Sequence, residues 1–237
     1  MGRILTITGT GTHVGKTTVS LSILAWTEIQ GIKSIWYKPI QCGMEPLPGL
    51  SRLGGDREWL EAFIPHSLRY VGLSLKMAAS PHFAAESESI RINLSKMTEQ
   101  AHQLSHECDL LIIEGAGGVA VPFDNKGRGL CDLVPVESSW WIVAAPGLGT
   151  LNHTRTAACF LESKNRKLSG FVFNSTEPEI SDLAENNRET LSELMNVPCL
   201  GEIDYYEVLK QGKNLTRNQL VTLARPLESS LKKLMRV

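Results

Sequence analysis

A short, mostly apolar run, RILTIT (residues 3–8), leads straight into GTGTHVGKTT (9–18) and then into an apolar stretch reaching about Gln30. That order predicts strand, glycine-rich turn and helix, the context in which consecutive backbone N–H groups and a helix N-terminus cradle a polyphosphate. Lys16 is placed to reach the outer phosphates and the Thr17 hydroxyl to ligand Mg²⁺. The common pattern has four residues between its glycines, whereas Gly9 and Gly15 enclose five, with Thr10 where the first glycine is expected. The loop is therefore a variant. A chance glycine turn before a helix is the alternative, and the flanking strand and helix argue against it.

The rest of the chain is consistent with that opening. SIWY (34–37), LLIIE (110–114), WWIVAA (140–145) and GFVFN (170–174) are continuous apolar runs, with a further candidate at CLGEI (199–203). Such runs predict strands buried on both faces, hence a parallel sheet covered by helices. Met97, Ala101, Leu104 and Cys108 fall at helical spacing between strands, as do Leu183, Leu191, Leu194 and Met195. The expectation is one domain over residues 1–237: α/β, doubly wound, with a mainly parallel sheet, helices on both faces, and the architecture of a P-loop NTPase. PLPGLSRLGG (46–55) is the clearest loop, and the tail, with leucines at helical spacing broken by Pro226, is the least readable part.

Charge and cysteine content narrow the partners. A formal net charge of −1, with Lys and Arg scattered, excludes the basic face of a nucleic-acid binder and favours small ligands. Five widely spaced cysteines without a CxxC pair fit reduced thiols rather than a zinc site. No charged leader precedes the first strand and no window approaches the ~20 apolar residues of a membrane span, so no membrane partner and a cytoplasmic location are expected.

In a doubly wound sheet, ligands sit at the carboxyl ends of the strands, and three motifs fall there. In YKPIQCG (37–43), Lys38 is either a charge for a phosphoryl group or an anionic reactant, or a solvated lysine. In IIEGAGG (112–118), Glu114 precedes three small residues and suits a direct or water-mediated Mg²⁺ ligand; alone it would read as a surface carboxylate. In GGDREW (54–59), Asp56 is either a further oxygen ligand or a helix cap.

GTGTHVGKT, YKPIQCG, EGAGG, LGTLNH and GEI occur in the order and at roughly the spacing of dethiobiotin synthetases, and the resemblance covers residues ~3 to ~205. The first two motifs are shared in part with cobyrinic-acid amide synthetases and ParA-like ATPases. The resemblance implies an ATP- and Mg²⁺-dependent C–N ligase of biotin synthesis. Its substrates would be 7,8-diaminononanoate and CO₂, with ATP as co-substrate. One amine adds CO₂ to form a carbamate, the carbamate attacks the γ-phosphate, and the second amine closes a urea ring with loss of phosphate. Lys16 and Lys38 would be catalytic, and Thr17, Asp56 and Glu114 would hold the metal. His13, Val14, Gly15, Lys16, Thr17 and Thr18 would surround the nucleotide, with Asp56, Glu114, Gly115, Ala116 and Gly117. Asn174 and Ser175, then Asp204, Tyr205 and Tyr206, would line its base; Asn174 alone also reads as a turn cap. Thr12, Lys38 and Cys42 would face the diamine, and Gly149, Thr150, Leu151 and Asn152 its carboxylate from the other subunit of a homodimer. From the residues alone, 147–154 is a glycine-rich exit from a strand into a helix starting at about Asn152, equally a plain N-cap within its own chain.

The sequence departs from the family pattern at Gly11, usually Asp, at Cys42, usually a small hydroxyl residue, and after GEI, where a proline is missing. The histidines His82 and His153 read as structural polar groups. Two other classes remain open on the residues: a ParA-like ATPase switch, which the near-neutral charge disfavours, and a nucleotide-binding scaffold without ligase activity.

Overall fold

The computed structural model describes residues 1–44, 55–178, 182–211 and 215–236. Among these residues, seven strands form one sheet: Arg3–Gly9 (β1), Ser34–Gln41 (β2), Leu68–Ser74 (β3), Leu110–Glu114 (β4), Ser139–Ala144 (β5), Leu168–Asn174 (β6) and Cys199–Ile203 (β7). Their order is β3-β2-β4-β1-β5-β6-β7, and every pairing is parallel. The strand order turns about β1, which places a crevice at its carboxyl end, where the glycine-rich loop begins.

Alternation along the strands divides the interior in two. Leu5, Ile7, Trp36, Leu110, Ile112, Trp141 and Val143 face Lys16–Gln30 (α1), Asp56–Phe63 (α2) and Arg217–Ala224 (α8). Ile4, Ile35, Tyr37, Leu111, Ile113, Trp140 and Ile142 face Leu94–His106 (α4), Thr150–Ser163 (α6) and Ala184–Met195 (α7). Pro81–Ser87 (α3) and Leu130–Leu133 (α5) join the second side, and Glu228–Met235 (α9) the first. The expected doubly wound α/β architecture is therefore present. Among the described residues no helix is long and apolar enough to cross a membrane.

The structure corrects several details. Lys38 does not follow β2 but lies inside it, because β2 runs to Gln41 with Pro39 in its interior. Pro39 is tolerated because β4 pairs with β2 only as far as Tyr37, so beyond that point one side of β2 carries no neighbour needing an N–H. The strand β3 was not anticipated: it is an edge strand, mostly half-buried, without the continuous apolar run of its neighbours. Cys108 lies beyond α4, and in the segment of α7 only Leu191 of the four expected residues is fully buried, with Leu183 and Leu194 exposed. The tail resolves into α8, a 3₁₀ turn at Arg225–Leu227 carrying Pro226, and α9. Of the expected loop at 46–55, all but Gly55 lies outside the described residues.

The contrast between centre and edge is measurable. Leu5, fully buried in β1, should lose about 2–5 kcal/mol of stability on replacement by Ala. Leu68, exposed at the start of edge strand β3, should lose about 0.5 kcal/mol or less. Urea unfolding of Leu5→Ala and Leu68→Ala checks this, and equal losses would contradict the sheet order.

Candidate functional site

The glycine-rich loop turns into its helix through a position that only glycine fills. Gly15 has φ of 91°, and a Cβ there would lie 2.0 Å from Asn174 Nδ2. Asn174, at the end of β6 and almost fully buried, donates from Nδ2 to the Val14 carbonyl at 3.3 Å. It anchors the loop rather than capping a turn, and its Oδ1 has no partner among the described residues. Val119 N–H donates to Gly9 O at 3.1 Å, tying the turn after β4 to the same loop. Helix α1 then begins at Lys16, with its first N–H groups directed at the loop.

Lys16 Nζ donates to the Gly11 carbonyl at 2.8 Å, so its ammonium arches over the loop. Burial lowers its pKa to about 8 despite the nearby Glu114. A polyphosphate in the loop would restore the lost charge balance.

Beside the loop stands a cluster of charges. Beyond the last β2–β4 pair, Tyr37 with Ile113, the next residue on each strand is Lys38 and Glu114, side by side on the α1 face. Lys38 Nζ donates to Glu114 Oε1 at 2.9 Å and also to Asp56 Oδ2. Thr17 Oγ1 lies 2.9 Å from Glu114 Oε1 and 3.1 Å from Asp56 Oδ1, its single proton shared between the two carboxylates. Burial alone would lower the Lys38 pKa, but Glu114 and Asp56 outweigh it and raise it above the ordinary lysine value. Lys38 is therefore a charged lysine, not a solvated one. Asp56 is the first residue of α2 and makes no cap: its carboxylate turns to Thr17 and Lys38.

These groups converge on a cavity of about 500 Å³. Thr12, His13, Gly15, Lys16, Thr17, Thr18, Lys38, Cys42, Asp56, Glu114, Ala116 and Gly117 line it. Val14 and Gly115 lie behind that wall: Gly115 N–H bonds Ile7 O, and Val14 packs on the α1-side core. Gly149, Thr150, Leu151 and Asn152 open α6 away from the cavity; Thr150 is buried against Thr154, and the adjacent Leu148 is 94% exposed. Ser175, Asp204, Tyr205 and Tyr206 also lie outside the lining, Ser175 N–H bonding Ile203 O and Tyr206 packing on the α1-side core.

Residues 3–213 match the family model described as an AAA domain. The ATP-dependent dethiobiotin synthetase BioD of Halalkalibacterium halodurans is 31% identical over 202 residues, 84% of this chain and 83% of that protein. The enzyme of the same name from Aliivibrio fischeri is 34% identical over 213 residues, 88% of this chain and 92% of that protein. The chain belongs to the dethiobiotin synthetase family. It is a ligase enzyme of the P-loop class. Among solved structures, the cell division ATPase MinD of Pyrococcus furiosus superposes with a TM-score of 0.59 at 18% identity, covering 97% of this chain and all of that one. The septum site-determining protein MinD of Pyrococcus horikoshii, complexed with Mg-ADP, gives 0.61 at 16% identity, with each chain covered in full. That likeness is one of fold.

Of the three departures from the dethiobiotin synthetase motifs, Gly11 and Cys42 have different surroundings. Nothing lies within 4 Å of a Cβ placed on Gly11, so an aspartate there would fit in open space. Cys42 lines the cavity, and burial raises its thiol to about 11 although Lys38 pulls the other way. It is a neutral, weak hydrogen-bonding group at neutral pH. Sequence reasoning missed Gln41, Gly43, Gly55, Trp59 and Thr176 in the lining, and Ser20 and Trp36 against Glu114. Two of these carried a signal: Ser20 lies one helical turn beyond Thr17, and Trp36 two residues before Lys38 on the same strand face.

Alkylation reads the Cys42 environment. At pH 8, iodoacetamide should modify exposed Cys159 well before Cys42, since only the thiolate attacks. With its thiol raised to about 11, Cys42 should label about tenfold faster per pH unit between pH 7.5 and 9.5. Peptide mapping by mass spectrometry checks this, and equal rates for the two cysteines at pH 8 would contradict it.

Proposed function

We propose that the whole chain acts as one ATP-dependent dethiobiotin synthetase, closing 7,8-diaminononanoate and CO₂ into the cyclic urea of dethiobiotin with release of ADP and phosphate. The observation that carries this reading is the cluster of Lys38, Asp56, Glu114 and Thr17 beside the Lys16 loop, lining one cavity. Among its described lining residues, where the Thr17 hydroxyl meets only the two carboxylates and Cys42 has no paired base, the set positions reactants and balances charge, which is what carbamate formation and phosphoryl transfer need. The names of the similar synthetases agree with it.

Loop N–H groups, the α1 N-terminus and Lys16 would bind the polyphosphate. The orphaned Asn174 Oδ1 would accept from an amino group of the base. One amine adds to CO₂ and loses a proton, giving a carbamate whose negative charge Lys38 would face. The carbamate oxygen then takes the γ-phosphoryl group, and the second amine displaces phosphate from the carbonyl carbon. Lys38 would offset the charge that builds in both transfers.

Thr17, Asp56 and Glu114 fit Mg²⁺: a hydroxyl and two carboxylates converge within 3.1 Å, a hard oxygen set for a hard cation that also keeps water and phosphate ligands. When bound, the ion would supply positive charge to the β- and γ-phosphate oxygens. The five unpaired cysteines suit a cytoplasmic enzyme.

A homodimer with shared sites fits the α6 entrance. Gly149 has φ of 88°, the helix N-terminus carries no side-chain cap, and Leu148 is almost wholly exposed. This helix N-terminus lies outside its own cavity and would serve the substrate carboxylate in the other subunit.

The deciding assay supplies ATP, Mg²⁺, bicarbonate and diaminononanoate. ADP should form only when the diamine is present, and diamine-independent hydrolysis would instead indicate an ATPase switch. Lys16→Ala should abolish turnover and weaken ATP binding. Lys38→Ala should lower kcat more than it raises the KM for ATP, and Asp56→Asn should raise the Mg²⁺ requirement. Near-normal kcat for Lys38→Ala removes it from the catalytic set.

Shared sites predict complementation. Lys16→Ala and a variant with bulky residues at Gly149 and Asn152 should each be inactive, yet a mixed dimer keeps one whole site. About a quarter of the normal activity should return on random pairing of the two chains. Chains shown to mix without any recovery would refute the shared site.

A further inference from the structure

Glu114 is fully buried, and its two oxygens are held differently. Oε1 faces the cavity side, taking hydrogen bonds from Thr17 and Lys38. Oε2 is turned back into the protein, where Ser20 Oγ donates at 2.7 Å and the Trp36 indole Nε1–H at 2.9 Å. Each oxygen has two lone-pair sites, so both on Oε2 are filled by neutral donors that are themselves fully buried. A cation arriving from the cavity can displace the Lys38 ammonium from Oε1. Reaching Oε2 would break both hydrogen bonds and leave two buried donors unpaired, at about 1–3 kcal/mol each, a cost that single-oxygen binding avoids.

That division separates one divalent cation from another. Mg²⁺ is small, demands near-ideal octahedral geometry, and is usually held by single oxygens of one or two carboxylates. Ca²⁺ is larger, takes six to eight oxygens and commonly chelates a carboxylate through both. We propose that Ser20 and Trp36 are positioning residues that restrict Glu114 to a single-oxygen ligand and so select Mg²⁺ against Ca²⁺. The proposal rests on the metal site assigned above. It gives Trp36 a task beyond filling the α1-side core: its ring packs under the sheet while its one polar edge holds the carboxylate.

The test is binding, read by isothermal titration of MgADP and CaADP, with metal in excess, into the wild type and three variants. Ser20→Ala removes one donor with almost no loss of volume, Trp36→Phe removes the other, and Ser20→Thr keeps the hydroxyl. The wild type should prefer MgADP. Ser20→Ala and Trp36→Phe should lower the Mg²⁺-over-Ca²⁺ affinity ratio by about tenfold, the scale on which partners of metal-binding side chains act. Ser20→Thr should keep the ratio near that of the wild type. Equal weakening of both complexes in Ser20→Ala, or an unchanged ratio, overturns the proposal; Ser20→Ala decides it even if Trp36→Phe fails to fold. A wild type that binds MgADP and CaADP alike also overturns it. A wild type that binds neither refutes the metal site itself, whereas selective binding without diamine-dependent turnover refutes the reaction and leaves the selection standing.

Discussion

Everything at the site depends on keeping a carboxylate and an ammonium ionised out of water. The cost of burying each ion is several kcal/mol, and a buried pair offsets it only when geometry and hydrogen bonds are nearly complete. Glu114 meets that condition with four donors, and Lys38 with two carboxylates. The sheet supplies the geometry: β2 and β4 run level until Ile113, and the pair forms on the first residues past their common ladder. A one-residue slip would turn Lys38 or Glu114 to the opposite face and leave a charge in an apolar core. The ion pair thus rewards the correct register.

The loop and the ion pair are mechanically joined. Thr17, in the first turn of α1, bonds both carboxylates, while Asn174 pins the loop from β6 on the other side. One short helical turn thus links the loop to the two carboxylates. Gly15 makes the contact possible, since a side chain there would occupy the position of the Asn174 amide.

The parts legible in the sequence were those with a strong local signature. β1 and its loop announced themselves through residue type and order, and β4 to β6 through unbroken apolar runs, because strands buried on both faces have no polar alternation to confuse. Edge strand β3 escaped notice for the converse reason: half-exposed on both faces, it carries Arg69, Tyr70 and Ser74 and has no periodic apolar signal. The end of β2 was misplaced because Pro39 looks like a strand terminator, and only knowledge of where β4 stops makes it acceptable. Asp56 was ambiguous between ligand and cap, a choice set by which way the side chain turns in three dimensions. Trp36 was hidden by its own chemistry: a large aromatic in an apolar run reads as core, and one polar atom out of ten leaves no mark on a hydropathy pattern.

The order of the sheet also governs how the chain reaches this state. β1 is made first yet lies fourth of seven, and its partners, beginning at Leu110 and Ser139, are synthesised more than a hundred residues later. At ribosomal speeds of about 5–20 residues per second, the apolar N-terminal strand waits several seconds or more with both edges unpaired. Long-range parallel pairing is slow to form even then. The strand that ends at the centre of the sheet is thus, during biogenesis, an apolar segment open to pairing with other chains, and the yield of folded protein in a cell will depend on how well that interval is shielded.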